Sequence, residues 1–142
     1  MRVLIDTNVV LTYVSGREDP FSKEIDLIMR RCAESKIEGA IALHTLSSIW
    51  YVARKLPDET RRDWIRQICR LLTVAGTSNS SVLEAVDNTE FKDFEDALQD
   101  CCAESFKADY IVTVNTKDFS GVSTIPAVSP GEFLEMHEEE QN

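Results

Sequence analysis

The stretch MRVLIDTNVV, residues 1–10, decides the fold. Val3, Leu4 and Ile5 form a short unbroken apolar run that stops at Asp6. Such a run suits a strand covered on both faces, as strands are in a parallel sheet. Polar Asp6, Thr7 and Asn8 follow directly, where that strand would leave the sheet.

Working outward, the same arrangement recurs near the other end. Tyr110, Ile111, Val112, Thr113 and Val114 are β-branched or aromatic, and predict a strand. Asn115, Thr116, Lys117 and Asp118 come next. Between these two strands, Gly39 is expected to break the chain before a strand over 40–43, and residues 73–75 predict a third. Residues 125–128 predict an edge strand, because Pro126 cannot donate to a ladder. Helical spacing links Ile25, Ile28, Met29 and Cys32, then Leu46, Ile49, Trp50 and Ala53. Pro57 and Asp58 open a further helix bearing Trp64, Ile65, Ile68, Leu71 and Leu72. Ser129 and Pro130 form an N-cap and N1 pair for the last one. Strands alternating with helices predict an α/β fold with a parallel sheet. Its ligands are expected beyond the carboxyl ends of the strands.

A chain of 142 residues has room for one domain with one core. It contains no apolar run of about 18 residues, so no membrane span is expected. The N-terminal apolar stretch is short and interrupted by Asp6, which does not suit a signal peptide; a cytoplasmic protein is expected. Cys32, Cys69, Cys101 and Cys102 show no C-x-x-C spacing and read as reduced, mostly buried thiols. His44 and His137 belong to no ligand pattern and read as incidental. The net charge of −10 argues against a generic nucleic-acid binder. It remains compatible with acidic ligands whose charge a bound metal offsets. Four glutamates, Glu135, Glu138, Glu139 and Glu140, predict a solvated acidic tail over 135–142.

Three polar clusters are candidates for the site: Asp6 to Asn8, the segment FKDFEDALQD at 91–100, and Asn115 to Asp118. At about 100° per residue, Asp93, Asp96 and Asp100 share one helix face and Phe91, Phe94 and Leu98 the opposite one. Carboxylates at about 4 Å repel by about 4 kcal/mol at an effective dielectric near 20. A site that gathers Asp6, Asp96 and Asp118 therefore requires a proton or a cation. Oxygen-only ligands suit Mg²⁺ or Mn²⁺, which can activate water and stabilise charge on a phosphodiester. Taken singly, each cluster also fits turn, cap or solvated-face chemistry.

LIDTNVV at 4–10, FKDFEDALQ at 91–99, ADYIVTVNTKDF at 108–119 and PAVSPGEFL at 126–134 together resemble the PIN-domain family, and most nearly its VapC-like bacterial toxin branch. The resemblance covers residues 1–134. It implies a three-layer α/β/α sandwich around a five-stranded parallel sheet, a Mg²⁺- or Mn²⁺-dependent endoribonuclease, a homodimer and a partner antitoxin. Carried over by position, Asp6, Asp96 and Asp118 are the catalytic and metal-binding carboxylates. Asn115 stands where many members place another Asp, and Asp93 is a supplementary ligand. Ser48 occupies the position of the family's usual Glu in a T-x-x-E pattern, and a hydroxyl is a weaker ligand for a hard cation than a carboxylate. Candidate substrate contacts are Asn8, Thr113, Arg62 and Arg66; the two arginines, with Arg70, line one face of a locally basic helix that could hold RNA phosphates or dock an acidic antitoxin segment. The alternative to an active ribonuclease is a catalytically weak PIN-like module that binds RNA or a protein. An aspartyl phosphoacceptor enzyme is disfavoured, because Asn8 stands where its second acid would be.

Overall fold

A computed structural model describes residues 1–141. The elements run β1 (Arg2–Ile5), α1 (Thr7–Ser15), α2 (Ser22–Ala33), β2 (Glu38–Ala42), α3 (Leu43–Val52), α4 (Asp58–Leu71), β3 (Thr73–Ala75), α5 (Asn79–Asp87), α6 (Phe94–Phe106), β4 (Tyr110–Val112), β5 (Ala127–Val128) and α7 (Pro130–Gln141). A single 3₁₀ turn spans Thr116–Asp118. The five strands form one parallel sheet in the order β3-β2-β1-β4-β5. The expected α/β sandwich is therefore the fold observed.

Alternation along β1 builds the two cores. Val3 and Ile5 point into one layer with Ile41, Val112 and the apolar faces of α1, α2, α3, α4 and α7. Leu4 points the other way, among Ala40, Ala42, Ala75 and Ile111. That second sheet face is built mostly of alanines, and α6 meets it with Ala97 and Ala103. Small side chains on both sides let the helix lie close to the sheet, where it touches β1, β2, β3 and β4. At the far end of α6, the Arg2 side chain donates to the Phe106 carbonyl and stacks its guanidinium 4.0 Å from the ring centroid. In a parallel sheet a connecting helix runs against the strands, so α6 begins at their carboxyl ends.

Gly39 lies inside β2 rather than before it, and Leu43 opens α3 instead of ending the strand. The glycine is required by packing: a Cβ there would meet Leu72 Cδ2 at 2.6 Å and Cys32 Sγ at 2.8 Å. β4 ends at Val112, two residues earlier than expected, although the Thr113 N–H still donates to the Val128 carbonyl at 3.0 Å. β5 is shorter than expected, although the Pro126 carbonyl still accepts from the Ile111 N–H at 2.9 Å. The expected acidic tail is helical through Gln141, since α7 continues past Glu135; its last residue, Asn142, lies outside the described residues. His137, 2% exposed, holds this helix down by stacking on Phe133 and accepting from the Arg31 guanidinium at 2.7 Å. α7 thus brings Glu140 beside Met1 and Asp109, at the edge where the strands begin. Cys32 and Cys102 are buried, whereas Cys69 is exposed and Cys101 half-buried; among the described residues all four are free. No described helix is long and apolar enough to cross a membrane.

Overfilling the space at Gly39 has a measurable cost. Gly39→Ala should lower stability by ~1–3 kcal/mol, as overpacked core positions do, and Cys32→Ala should recover part of the loss. Urea unfolding of the single and double variants checks this.

Candidate functional site

The carboxyl edge of β1 places the first acid. The Asp6 N–H donates to the Val112 carbonyl at 3.0 Å, so the residue is still tied to β4 as the chain leaves the sheet. Its side chain then caps α1, accepting the Thr7 N–H at 2.8 Å on one oxygen and the Thr113 hydroxyl at 2.8 Å on the other. Asp6 is buried, and burial raises its carboxyl above the ordinary range; the bonds from Thr113 and Thr7 oppose this, and the charge of Asp118 adds to it.

Asp96 comes from the first turn of α6. Burial, then the charges of Asp6, Asp93, Asp118 and Glu95 in that order, push its carboxyl up to about 7. Asp118 ends the 3₁₀ turn after β4. Phe119, the next residue, is 1% exposed and meets Phe91 edge-on at 6.3 Å, which anchors the loops carrying Asp118 and Asp93 to each other. Asp6, Asp96 and Asp118 therefore share one electrostatic neighbourhood. Asp96, Asp118 and Asp93 also line a single cleft of about 490 Å³.

Other sequence-predicted residues take different places. Asp93 is the N-cap of α6, not a member of its face, and accepts the Glu95 N–H at 2.9 Å. Asp100 turns away to accept from the Ser123 hydroxyl. The three-aspartate face read from periodicity is thus divided between a cap, the cleft and a buried loop contact. Asn115 donates its backbone N–H to the Thr113 hydroxyl at 3.0 Å and leaves its side chain exposed, as is that of Asn8. Ser48 donates back to the His44 carbonyl at 3.3 Å, so its hydroxyl serves its own helix. Arg62 is paired with Asp58 at 2.7 Å, and Arg66 with Glu59 and Asp63 at 2.9 and 2.6 Å, all within α4.

A polar cluster beneath the acids was not foreseen. The Thr7 and Thr45 hydroxyls lie 2.9 Å apart, and the Gln99 amide donates to them at 2.9 and 3.1 Å. Gln99 and Thr45 are both fully buried. One amide therefore ties the starts of α1 and α3 to α6. Gln99 lies three residues after Asp96, one helical turn away, which is the sequence signal that could have found it. His44 also stands near the acids: burial lowers its pKa, while Glu95 and Asp6 raise it.

A model of the PIN-domain family matches residues 2–117. The chain belongs to that family. Among solved structures it is similar to a toxin–antitoxin complex from Klebsiella pneumoniae, with 25% identity, a TM-score of 0.65, and coverage of 90% of this chain and 97% of that one. VapBC2 from Rickettsia felis, bound to a DNA fragment from their promoter, gives a TM-score of 0.67 at 18% identity over 91% of this chain and 98% of that one. VapBC-1 from nontypeable Haemophilus influenzae gives 0.63 at 16% identity over 92% and 99%. At those identities the last two show the shared fold alone. Among curated protein sequences no significant match is found.

The crowding at Asp96 has a pH signature. A carboxyl raised to about 7 in the folded chain binds its proton more tightly there than when unfolded. Metal-free stability should therefore fall as pH rises between about 4 and 7 and level off above. Asp96→Asn should flatten this slope and melt higher than the parent above neutral pH. Thermal melts across that range in chelator check both.

Proposed function

We propose that the chain is a Mg²⁺- or Mn²⁺-dependent endoribonuclease, the toxin of a toxin–antitoxin pair. The observation that carries this reading is the convergence of Asp6, Asp96 and Asp118 at the carboxyl edge, where acidic side chains outnumber basic ones. The charges acting most strongly on Asp96 are all acidic. Charges so arranged call for a cation.

The donor set fits one kind of ion. Among the described residues, no three His, Cys, Asp or Glu side chains stand close enough to enclose a metal together. Mg²⁺ seldom requires such a cage: it keeps several waters and takes one or two carboxylates plus substrate phosphate oxygens. One or two of Asp6, Asp96 and Asp118 would hold it, with Asn115 and Asp93 at the margin. Bound there, the ion would supply an activated water and neutralise charge developing on the phosphodiester. The chain's own work is positioning. Thr113 and the Thr7 N–H fix both oxygens of Asp6, and the Gln99 cluster holds α6, and so Asp96, against α1. Asp96, with a pKa of about 7, can hold or release a proton near neutrality until a cation arrives.

The partner antitoxin is inferred from the similarity to the toxin–antitoxin complex of Klebsiella pneumoniae. A homodimer is supported by the exposed apolar side chains of Tyr51, Val52, Leu83 and Val86. A strict monomer in light scattering at tens of micromolar would remove the dimer from the proposal. Ser48 favours a second reading, a catalytically weak binding module, because α3 then brings no carboxylate to the cation.

Three substitutions separate these readings. Saturating Mn²⁺, at about 100 times its dissociation constant, should stabilise the parent by about 2.7 kcal/mol, and Asp6→Asn should reduce that gain. Ser48→Glu should enlarge the gain and raise cleavage of single-stranded RNA, and Asp96→Asn should abolish cleavage in either background. Metal-induced shifts without cleavage by any protein would favour the binding module. A melting temperature indifferent to Mn²⁺ would remove the metal site.

A further inference from the structure

The polyanion problem set by a net charge of −10 has a local answer. The cleft of about 490 Å³ that contains Asp96 and Asp118 is lined also by Lys92 and Lys117. Lys92 stands on the loop just before α6, and Lys117 in the 3₁₀ turn beside Asp118. The carboxylates are thus bracketed by one cation from each of the two loops that the Phe91–Phe119 contact holds together. Both lysines are exposed, and among the described residues neither side chain makes an ion pair. Arg62 and Arg66, the cations that the sequence singles out, are instead engaged by Asp58, Glu59 and Asp63 on α4.

The difference matters energetically. A paired arginine must give up its carboxylate before it can take a phosphate, so little is gained by the exchange. An unpaired lysine beside a groove releases only condensed counterions from the nucleic acid, and that release drives binding. The lining charges sum to a small excess of acid: Glu90, Asp93, Asp96 and Asp118 against the two lysines leave −2, which one divalent cation would cancel. A cleft whose acids a cation would neutralise and whose lining includes a free lysine from each of two loops suits a chain of phosphates spaced along a strand. Its volume also falls within the range of sites that take a small-molecule-sized group.

We propose that Lys92 and Lys117 are the backbone-binding residues of the site, each holding a phosphate of a single-stranded RNA that runs through the cleft on either side of the carboxylates. This rests on the ribonuclease reading and names where its substrate lies. The lysines contact phosphates and not bases, so they contribute affinity and register without sequence preference. Arg62 and Arg66 have no part in this contact.

Fluorescence anisotropy of the full chain with a labelled unstructured oligouridine, in Ca²⁺ and at several salt concentrations, tests the assignment. Lys92→Gln/Lys117→Gln should bind ~25-fold more weakly near 0.1 M salt, and the slope of log affinity against log salt should be shallower by about 1.4, or about 0.7 for each phosphate lost. Lys92→Arg/Lys117→Arg should restore both quantities, which a change of fold would not do. An unchanged slope in the glutamine pair overturns the proposal, as does a loss that appears in Arg62→Gln/Arg66→Gln instead. So does a glutamine pair that loses affinity for an acidic peptide while RNA binding stays intact. Cleavage of RNA by the parent in Mn²⁺ distinguishes the two levels. Cleavage with no lysine dependence sinks the lysine assignment alone. Lysine-dependent binding without cleavage sinks the ribonuclease reading alone. No RNA binding by the parent sinks both.

Discussion

Everything at the carboxyl edge depends on how Asp6 is held while it is buried. A carboxylate taken out of water is costly unless donors replace the lost hydration. Two do: the first free N–H of α1, and the Thr113 hydroxyl reaching across from the end of β4. Each comes from an element that the parallel sheet already holds in register beside β1. The hydrogen bonds offset only part of that cost at Asp6, while burial, followed by the neighbouring acidic charges, raises Asp96 to about 7. The site thus joins one acid anchored by two donors to one poised near neutrality.

The second constraint is distance between layers. Asp96 can approach Asp6 only because α6 lies close to an alanine-faced sheet. Larger residues at Ala40, Ala42 or Ala97 would lift the helix and relax the crowding of the acids. Gln99 then fixes the helix along its axis. A fully buried amide bonded to two threonine hydroxyls from different helices tolerates little sliding, because each bond lost leaves a polar group stranded away from water.

The fold was legible because the short apolar runs at Val3 to Ile5 and from Tyr110 onward are signals of buried parallel strands, and each stops at polar residues that the sheet edge then exposes. The positions of Asp6 and Asp118 just past the strand ends were legible for the same reason. What periodicity could not supply is where a helix begins. Reading 91–100 as one continuous helix put Asp100 beside Asp96, whereas α6 starts after Asp93, which as its N-cap still lines the cleft with Asp96, and turns Asp100 toward Ser123. The acidic run at 135–140 was legible as solvated, since its four glutamates are exposed, but its helical form was not, because a count of charges ignores the one face that carries His137 into the core. Two arginines of the basic stretch on α4 are engaged from within: Arg62 and Arg66 pair with Asp58, Glu59 and Asp63, one or two helical turns away, which periodicity of one charge sign does not reveal. Gln99 and Thr45 left little trace, since a contact between helices far apart in sequence has no local pattern.

The placement of α7 bears on how this domain can be handled and joined to others. It runs from the carboxyl edge back across the sheet and sets Glu140 beside Met1 and Asp109, at the edge where the strands begin. The acidic cleft opens at the opposite edge. A fluorophore, surface tether or fused domain attached near either of these positions would therefore stand on the side of the sheet remote from the cleft. The two ends of the described chain make a common handle, by which the molecule can be held with its cleft facing outward.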